Sequence, residues 1–218
     1  MKVSIGGSPQ EIRNDPAQTI DTVCHKCNNE WMSRVENKAK PIIACMLEDL
    51  TIPLDREQQT VLSNWAVKTA MVLDSIKNPE SNMRFYQKLQ CVTFRERRVI
   101  PDRIRVWIGR SSLSALGAYG TDIIVITPEG SPLGLGTATT VVAGHLAVQA
   151  LALRIRPELK DKSAADVEPK PGDWNNTLVQ IWPVAHDPVM WPPRATFTNS
   201  GPTSIATLMD RWRVGTPV

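Results

Sequence analysis

Two cysteines three positions apart, Cys24 and Cys27, are the residues of this chain best spaced for chemistry. A Cys-x-x-Cys turn aims two thiolates at one ion from a tight knuckle, which is why zinc modules use it. The same spacing serves dithiol exchange. That use expects a preceding strand in a βαβ setting, and His25-Lys26 between the cysteines favours it only mildly, so redox ranks below zinc. A structural zinc site needs four protein ligands, and no second pair at suitable spacing is present. Cys45 and Cys91 stand alone in apolar, helix-like stretches and read as small core hydrophobes. His25 would point away from a metal held by both neighbours. His145, beside Gly144 in an apolar stretch, reads as a satisfied buried or edge histidine. His186-Asp187 falls in a Pro-rich turn.

A second chemistry-bearing feature is cationic. Arg95, Arg97, Arg98, Arg103, Arg105 and Arg110 concentrate charge in one stretch. Strand alternation would put Arg103, Arg105 and Trp107 on one face and Ile104, Val106 and Ile108 on the other. Such a face could meet phosphates and stack on a base. The blander reading, a solvated strand face with Trp107 partly buried, ranks somewhat ahead. Around the knuckle, Lys26, Arg34, Lys38 and Lys40 could flank nucleic acid or form the wet side of a helix. Trp31 and Trp65 fit apolar helix stripes, while Trp182, Trp191 and Trp212 would anchor the C-terminal segment. Gly134-Leu135-Gly136 has no third glycine after a nucleotide-binding strand and reads as a turn.

The elements that must position these residues follow from pattern. Residues 1–23, with Gly6-Gly7, Pro9 and Pro16, suggest a short strand and a loop. Asn28 or Asn29 can cap a helix whose first turn carries Glu30 and whose face carries Trp31, Val35 and Ala39. Pro41 restarts or kinks it before Ile42, Ile43 and Met46. The clearest helix spans about 55–77, opened by an Asp55/Gln58 capping box and lined by Leu62, Trp65, Ala66, Thr69 and Leu73. A weaker helix is expected over 80–91. Strands are expected over 103–108, 121–127 and 178–184. Residues 137–155 lean towards strand, with 145–155 open to helix. Residues 157–176 read as a polar loop, the Pro-rich 183–193 as irregular, and 204–213 as a closing helix. Helices first and a mostly antiparallel sheet later give an α+β fold. Residues 1–50 form a partial knuckle-and-helix unit and 51–218 an α+β domain, together one compact body.

Composition excludes several classes. The chain has 218 residues, 42% of them apolar and 22% charged, with a net charge of +3. That is enough to build a core without disulfides or metal, and too little charge for a disordered chain. Four cysteines are too few for a disulfide scaffold. The first residues lack the apolar core of a signal peptide and no run reaches membrane-spanning length, which makes the cytoplasm the default address and excludes a membrane partner.

The segment Val23-Cys-His-Lys-Cys-Asn-Asn-Glu-Trp-Met-Ser-Arg-Val-Glu36, with Lys40-Pro41 after it, resembles the second half of HNH-type endonucleases. It is most similar to a bacterial HNH-like group with a Cys-x-x-Cys-Asn-Asn-x-Trp-Met-Ser signature. The likeness extends more weakly through Trp65-Ala-Val-Lys-Thr-Ala70, Arg105-Val-Trp-Ile-Gly109, Ile181-Trp-Pro183 and Trp191-Pro-Pro193. The resemblance implies a partial ββα-metal module in which Cys24 and Cys27 are two of four structural zinc ligands. It implies that Asn28 holds a divalent ion such as magnesium, and that the chemistry is phosphodiester hydrolysis by a histidine-activated water. In that family a first Cys-x-x-Cys and the general-base histidine precede the position of Cys24. Residues 1–23 contain neither cysteine nor histidine.

The expected function is therefore an HNH endonuclease-related protein, catalytically incomplete in this chain, with DNA as the candidate partner. Its candidate nucleic-acid contacts are Lys26, Arg34, Arg103, Arg105 and Trp107. One alternative is an active metal-dependent nuclease whose truncated half is supplied upstream or in trans. Another is a non-enzymatic homodimer in which two chains pool Cys24 and Cys27 around one zinc.

Overall fold

The computed structural model describes residues 2–12, 23–77, 84–112, 116–126, 132–155, 167–169, 177–198 and 212–214. Its central helix, α3 (Arg56–Lys77), begins at a reciprocal cap. Asp55 Oδ1 accepts the Gln58 N–H at 2.8 Å and Gln58 Oε1 accepts the Asp55 N–H at 3.0 Å. Leu62, Ala66, Val67, Ala70 and Leu73 are buried, as the helical spacing of apolar residues predicts.

Upstream, α1 (His25–Cys27), a π-helical turn (Asn28–Met32) and α2 (Ser33–Leu47) follow one another without a break. Here the expected Asn28 or Asn29 cap is corrected. Cys24 is the N-cap, with extended backbone, and its Sγ accepts the Cys27 N–H at 3.2 Å. A thiol thus takes the role expected of an amide side chain, and both asparagines fall inside the helical run. Pro41 sits within α2 without ending it. The weaker helix also moves. It is α4 (Lys88–Arg97), opened by a Gln87/Gln90 capping box, while residues 78–83 lie outside the described part.

The sheet carries the order β1-β4-β5-β6-β3-β10, with β8 also on β3. Its strands are β1 (Lys2–Ile12), β3 (Ile104–Ser111), β4 (Gly117–Ile126), β5 (Pro132–Ala143), β6 (Leu146–Ile155), β8 (Leu178–Trp182) and β10 (Thr196–Phe197). All neighbours are antiparallel except β10 against β3. Two small antiparallel pairs complete the described fold: β2 (Ile52–Leu54) with β9 (Val189–Trp191), and β7 (Val167–Pro169) with β11 (Trp212–Val214). The protein is α+β.

Several expectations change. Residues 2–12 form a long edge strand on β4 rather than a short strand and loop. Gly134 and Gly136 lie inside β5, not in a turn: a Cβ on Gly134 would sit 2.5 Å from the Arg154 carbonyl oxygen, so the residue is small because β6 is close. Residues 146–155 are strand, because apolar side chains alternate between two buried faces. Residues 189–191 are regular despite the surrounding prolines. Pro188 and Pro192 flank β9, leaving its own N–H groups free to pair with β2. The 157–176 loop and the 204–213 helix lie mostly outside the described residues; within them, 167–169 and 212–213 are strand.

Alternation on β3 and β6 divides the core. Val106, Ile108, Val148 and Ala150 face the helices, where they meet Met46, Leu62 and Phe94. Trp107, Leu151 and Leu153 face the opposite way and meet Ile123, Val125 and Phe197. Ile42 and Met46 share the first cluster with residues beyond position 50, so one core spans the expected boundary between the two units. Among the described residues no helix is long and apolar enough to cross a membrane.

Candidate nucleic-acid interface

The knuckle and the arginine-rich stretch meet at Trp31. The π-helical turn brings Trp31 inward, where its ring packs edge-on against Phe94 of α4 at a centroid distance of 6.1 Å. The same contact delivers the end of α4 to the knuckle. Arg98, the residue closing α4, lays its guanidinium 4.9 Å from the Trp31 ring centroid and donates from Nη1 to the Phe94 carbonyl at 3.2 Å. It holds a left-handed conformation, φ 56, ψ 27, where glycine is the usual occupant.

Electrostatics tie the two segments together at a second point. The Cys24 side chain holds the Cys27 thiol below its ordinary range, against a weaker opposing push from burial. The Trp31 indole and the Arg95 guanidinium add to the lowering. The buried Trp31 Nε1 meets no partner at ordinary hydrogen-bond geometry, so its part is that of a nearby dipole. Arg95 itself is raised, first by Glu96 at 3.1 Å and then by Cys27. Arg98 is lowered from the ordinary guanidinium value, first by burial and then by the like charges of Arg34 and Arg95. Three guanidinium groups are therefore crowded beside the knuckle.

Below them a groove of about 560 Å³ opens between α2 and α3. Arg34, Lys38, Arg56 and Arg98 bring four cations to its lining, and Val35 and Val61 supply apolar wall. Arg34 and Lys38 have no ion-pair or hydrogen-bond partner among the described residues. Among the described residues Arg56 has a long contact of 3.9 Å to Asp187. Glu57, Thr60 and Asn64 complete the lining. Beneath it, Lys68 Nζ donates to Glu36 Oε1 at 2.5 Å and locks α2 to α3.

The other sequence candidates are dispersed. Trp107 is only 3% exposed and packed in the second core, so it offers no ring face to a base. The candidate arginine–tryptophan face on β3 is corrected at Trp107: alternation does separate the two sides, but Trp107 is buried in the second core while Arg105 on the same side is half-exposed. Arg103 is exposed just before β3, and Arg105 donates to Gln180 at 3.4 Å. Arg110 is engaged by both oxygens of Asp49 and serves the fold. Lys26 and Asn28 are exposed on the knuckle. Asn29 pairs with His25 at 2.8 Å, one helical turn back. His145 lies against the Ser111 carbonyl, and the His186 carbonyl accepts from Gln59.

Arg56 was not singled out in the sequence, and Arg98 stood there only as one of a charged stretch, not as a neighbour of the knuckle. The missed signal is the position of α4: once that helix ends at Arg97, Arg98 becomes its C-terminal residue and Phe94 its core anchor.

For zinc, the described residues bring Cys24 and Cys27 together and no third donor; no group of three or more His, Cys, Asp and Glu side chains is placed to hold an ion. That donor set does not fit a four-ligand site built by the described residues of one chain. Comparison with family models, curated proteins and solved structures finds no match for this chain.

Proposed function

We propose that this protein is a nucleic-acid-binding relative of the HNH endonucleases, incomplete for catalysis on its own. It grips the phosphate backbone through the basic groove beside the Cys24–Cys27 turn. The observation that carries this reading is the convergence of Arg34, Lys38, Arg56 and Arg98 on one groove, with Arg34 and Lys38 lacking any acidic partner among the described residues. Cations placed without counter-charges repel one another, and a phosphate backbone supplies the missing charge. The HNH assignment is supported by the Cys24–Glu36 motif. The incomplete chemistry is supported by the sequence ahead of the motif, where residues 1–23 hold neither histidine nor cysteine.

The test is fluorescence anisotropy with labelled DNA across a salt series. Three phosphate contacts from Arg34, Lys38 and Arg98 give a slope of log K against log salt of about −2 to −3. An Arg34→Ala/Lys38→Ala double variant should flatten it by about 2 units. A slope near zero for the native chain refutes the binding reading. Plasmid cleavage with added magnesium or manganese that disappears in Asn28→Ala refutes the claim of incomplete catalysis.

A second reading is favoured by the exposure of Cys24 and the lack of a third donor among the described residues. In it, two copies pool their thiolates around one zinc. Native mass spectrometry would then find one zinc per two chains, and a zinc-free dimer of Cys24→Ala would refute it.

A further inference from the structure

We infer that the groove between α2 and α3 accepts one unpaired nucleotide of a single-stranded nucleic acid, its phosphate on Arg34, Lys38 and Arg98 and its base against Val35 and Val61. This rests on the nucleic-acid reading above and narrows it to a strand type. A surface that merely follows a duplex backbone needs cations but no cavity, because paired bases stay stacked inside the helix. Here the cations surround a cavity of about 560 Å³, within the range of about 300–1,000 Å³ that small organic ligands occupy and far more than a phosphate group fills. Its lining mixes charge with apolar wall: Val35 is buried, and Val61 belongs to the half-buried stripe of α3. That combination suits a nucleotide, one end anionic and the other a flat ring that packs against apolar side chains.

The polar residues give the ligand a direction. Glu57 lines the groove and repels a phosphate, leaving the Arg34, Lys38 and Arg98 end to the anion. Asn64 also lines it. Its amide nitrogen is held by the Thr60 carbonyl at 2.9 Å, while its Oδ1 is closed off from water and has no hydrogen-bond partner. Asn64 therefore shapes the wall of the groove without itself meeting the ligand. Arg98 is held in place before any ligand arrives, stacked on Trp31 and fixed by its left-handed backbone. The anion therefore meets a guanidinium whose freedom is already spent.

The experiment uses the full chain and fluorescence anisotropy. The probes are a labelled oligothymidylate of about 12 nucleotides, long enough for one site, the same strand annealed to its complement, and unlabelled AMP as competitor. The expected result is about tenfold preference for the single strand at equal salt, as burying part of one base against an apolar wall would give. Val61→Asp puts a charge on the wall that the base lies against and Thr60→Trp fills the groove from its α3 side; each should reduce that preference towards unity, with thermal melts by circular dichroism confirming that the variants fold. Equal affinity for both probes, unmoved by either variant, overturns the single-nucleotide inference and leaves the backbone-binding reading standing. Binding of neither probe overturns both. AMP binding more tightly than the strand overturns the strand assignment and gives the groove to a free nucleotide.

Discussion

Replacing Arg98 separates what its backbone costs from what its side chain does. At φ 56 a residue with a Cβ is disfavoured relative to glycine by about 1 kcal/mol. The side chain offsets this in two ways. Its contact with Trp31 contributes about 0.5–1 kcal/mol at a partly exposed site, and its hydrogen bond to the Phe94 carbonyl adds a comparable amount, about 0.5–1 kcal/mol. Arg98→Ala loses the offset and keeps the strain. Arg98→Gly loses the offset and relieves the strain. The glycine variant should therefore be about 1 kcal/mol more stable than the alanine variant, and close to the native chain. For a chain of this length that is about 2–4 °C in melting temperature, resolvable by urea unfolding with a common m-value. Both variants lack the guanidinium, so the proposed function expects both to lose nucleic-acid affinity to the same extent although only one loses stability. An alanine variant as stable as the glycine variant refutes the left-handed cap, and with it the geometry that holds Arg98 on Trp31.

Two further outcomes follow from buried charge and buried thiols. Lys68 has only 8% of its side chain exposed, whereas its partner Glu36 has 48%. Glu36→Gln strands a buried ammonium and should cost about 1–3 kcal/mol, discounted from the fully buried case because water screens the glutamate. Lys68→Met keeps the buried stem and frees a glutamate that water can reach, so it should cost under about 1 kcal/mol; the reverse order in chemical unfolding refutes the desolvation argument. In metal-free protein, the Cys27 thiol lies below its ordinary range through Cys24, Trp31 and Arg95, while burial and then Asp74 push the Cys91 thiol up. Thiolate is the reactive form, so iodoacetamide near pH 7 should label Cys27 well before Cys91. Peptide mapping that finds Cys91 modified first refutes the assignment.

What the sequence disclosed was local, and what it hid was contact at a distance. Asp55 and Gln58 are three apart and cap one another, so the start of α3 is written in a few adjacent residues. Likewise Ile104, Val106 and Ile108 announce β3 by alternation, although alternation alone could not say that Trp107 on the other side is buried too. Gly134 looked like turn chemistry because its smallness answers to the Arg154 carbonyl on a neighbouring strand, which no local pattern reveals. Cys24 is the N-cap because its thiol accepts the Cys27 N–H, so the winding starts at His25, ahead of both asparagines. At the candidate site, Arg34 was legible as a basic residue near the knuckle. Arg98 was not, since its place depends on where α4 ends and on a ring contributed by a separate segment.

The arrangement around Trp31 also decides how portable the knuckle is. Three side chains of residues 24–36 also meet groups from elsewhere: Cys27 is influenced by Arg95, Trp31 packs on Phe94 and Arg98, and Glu36 pairs with Lys68. The motif is thus only one side of a clasp whose other side lies in α3 and α4. Excised as a peptide, it would retain its spelling and lose its orientation. Grafted onto another helix, it would work only if the host supplied a phenylalanine, two arginines and a buried lysine in matching places.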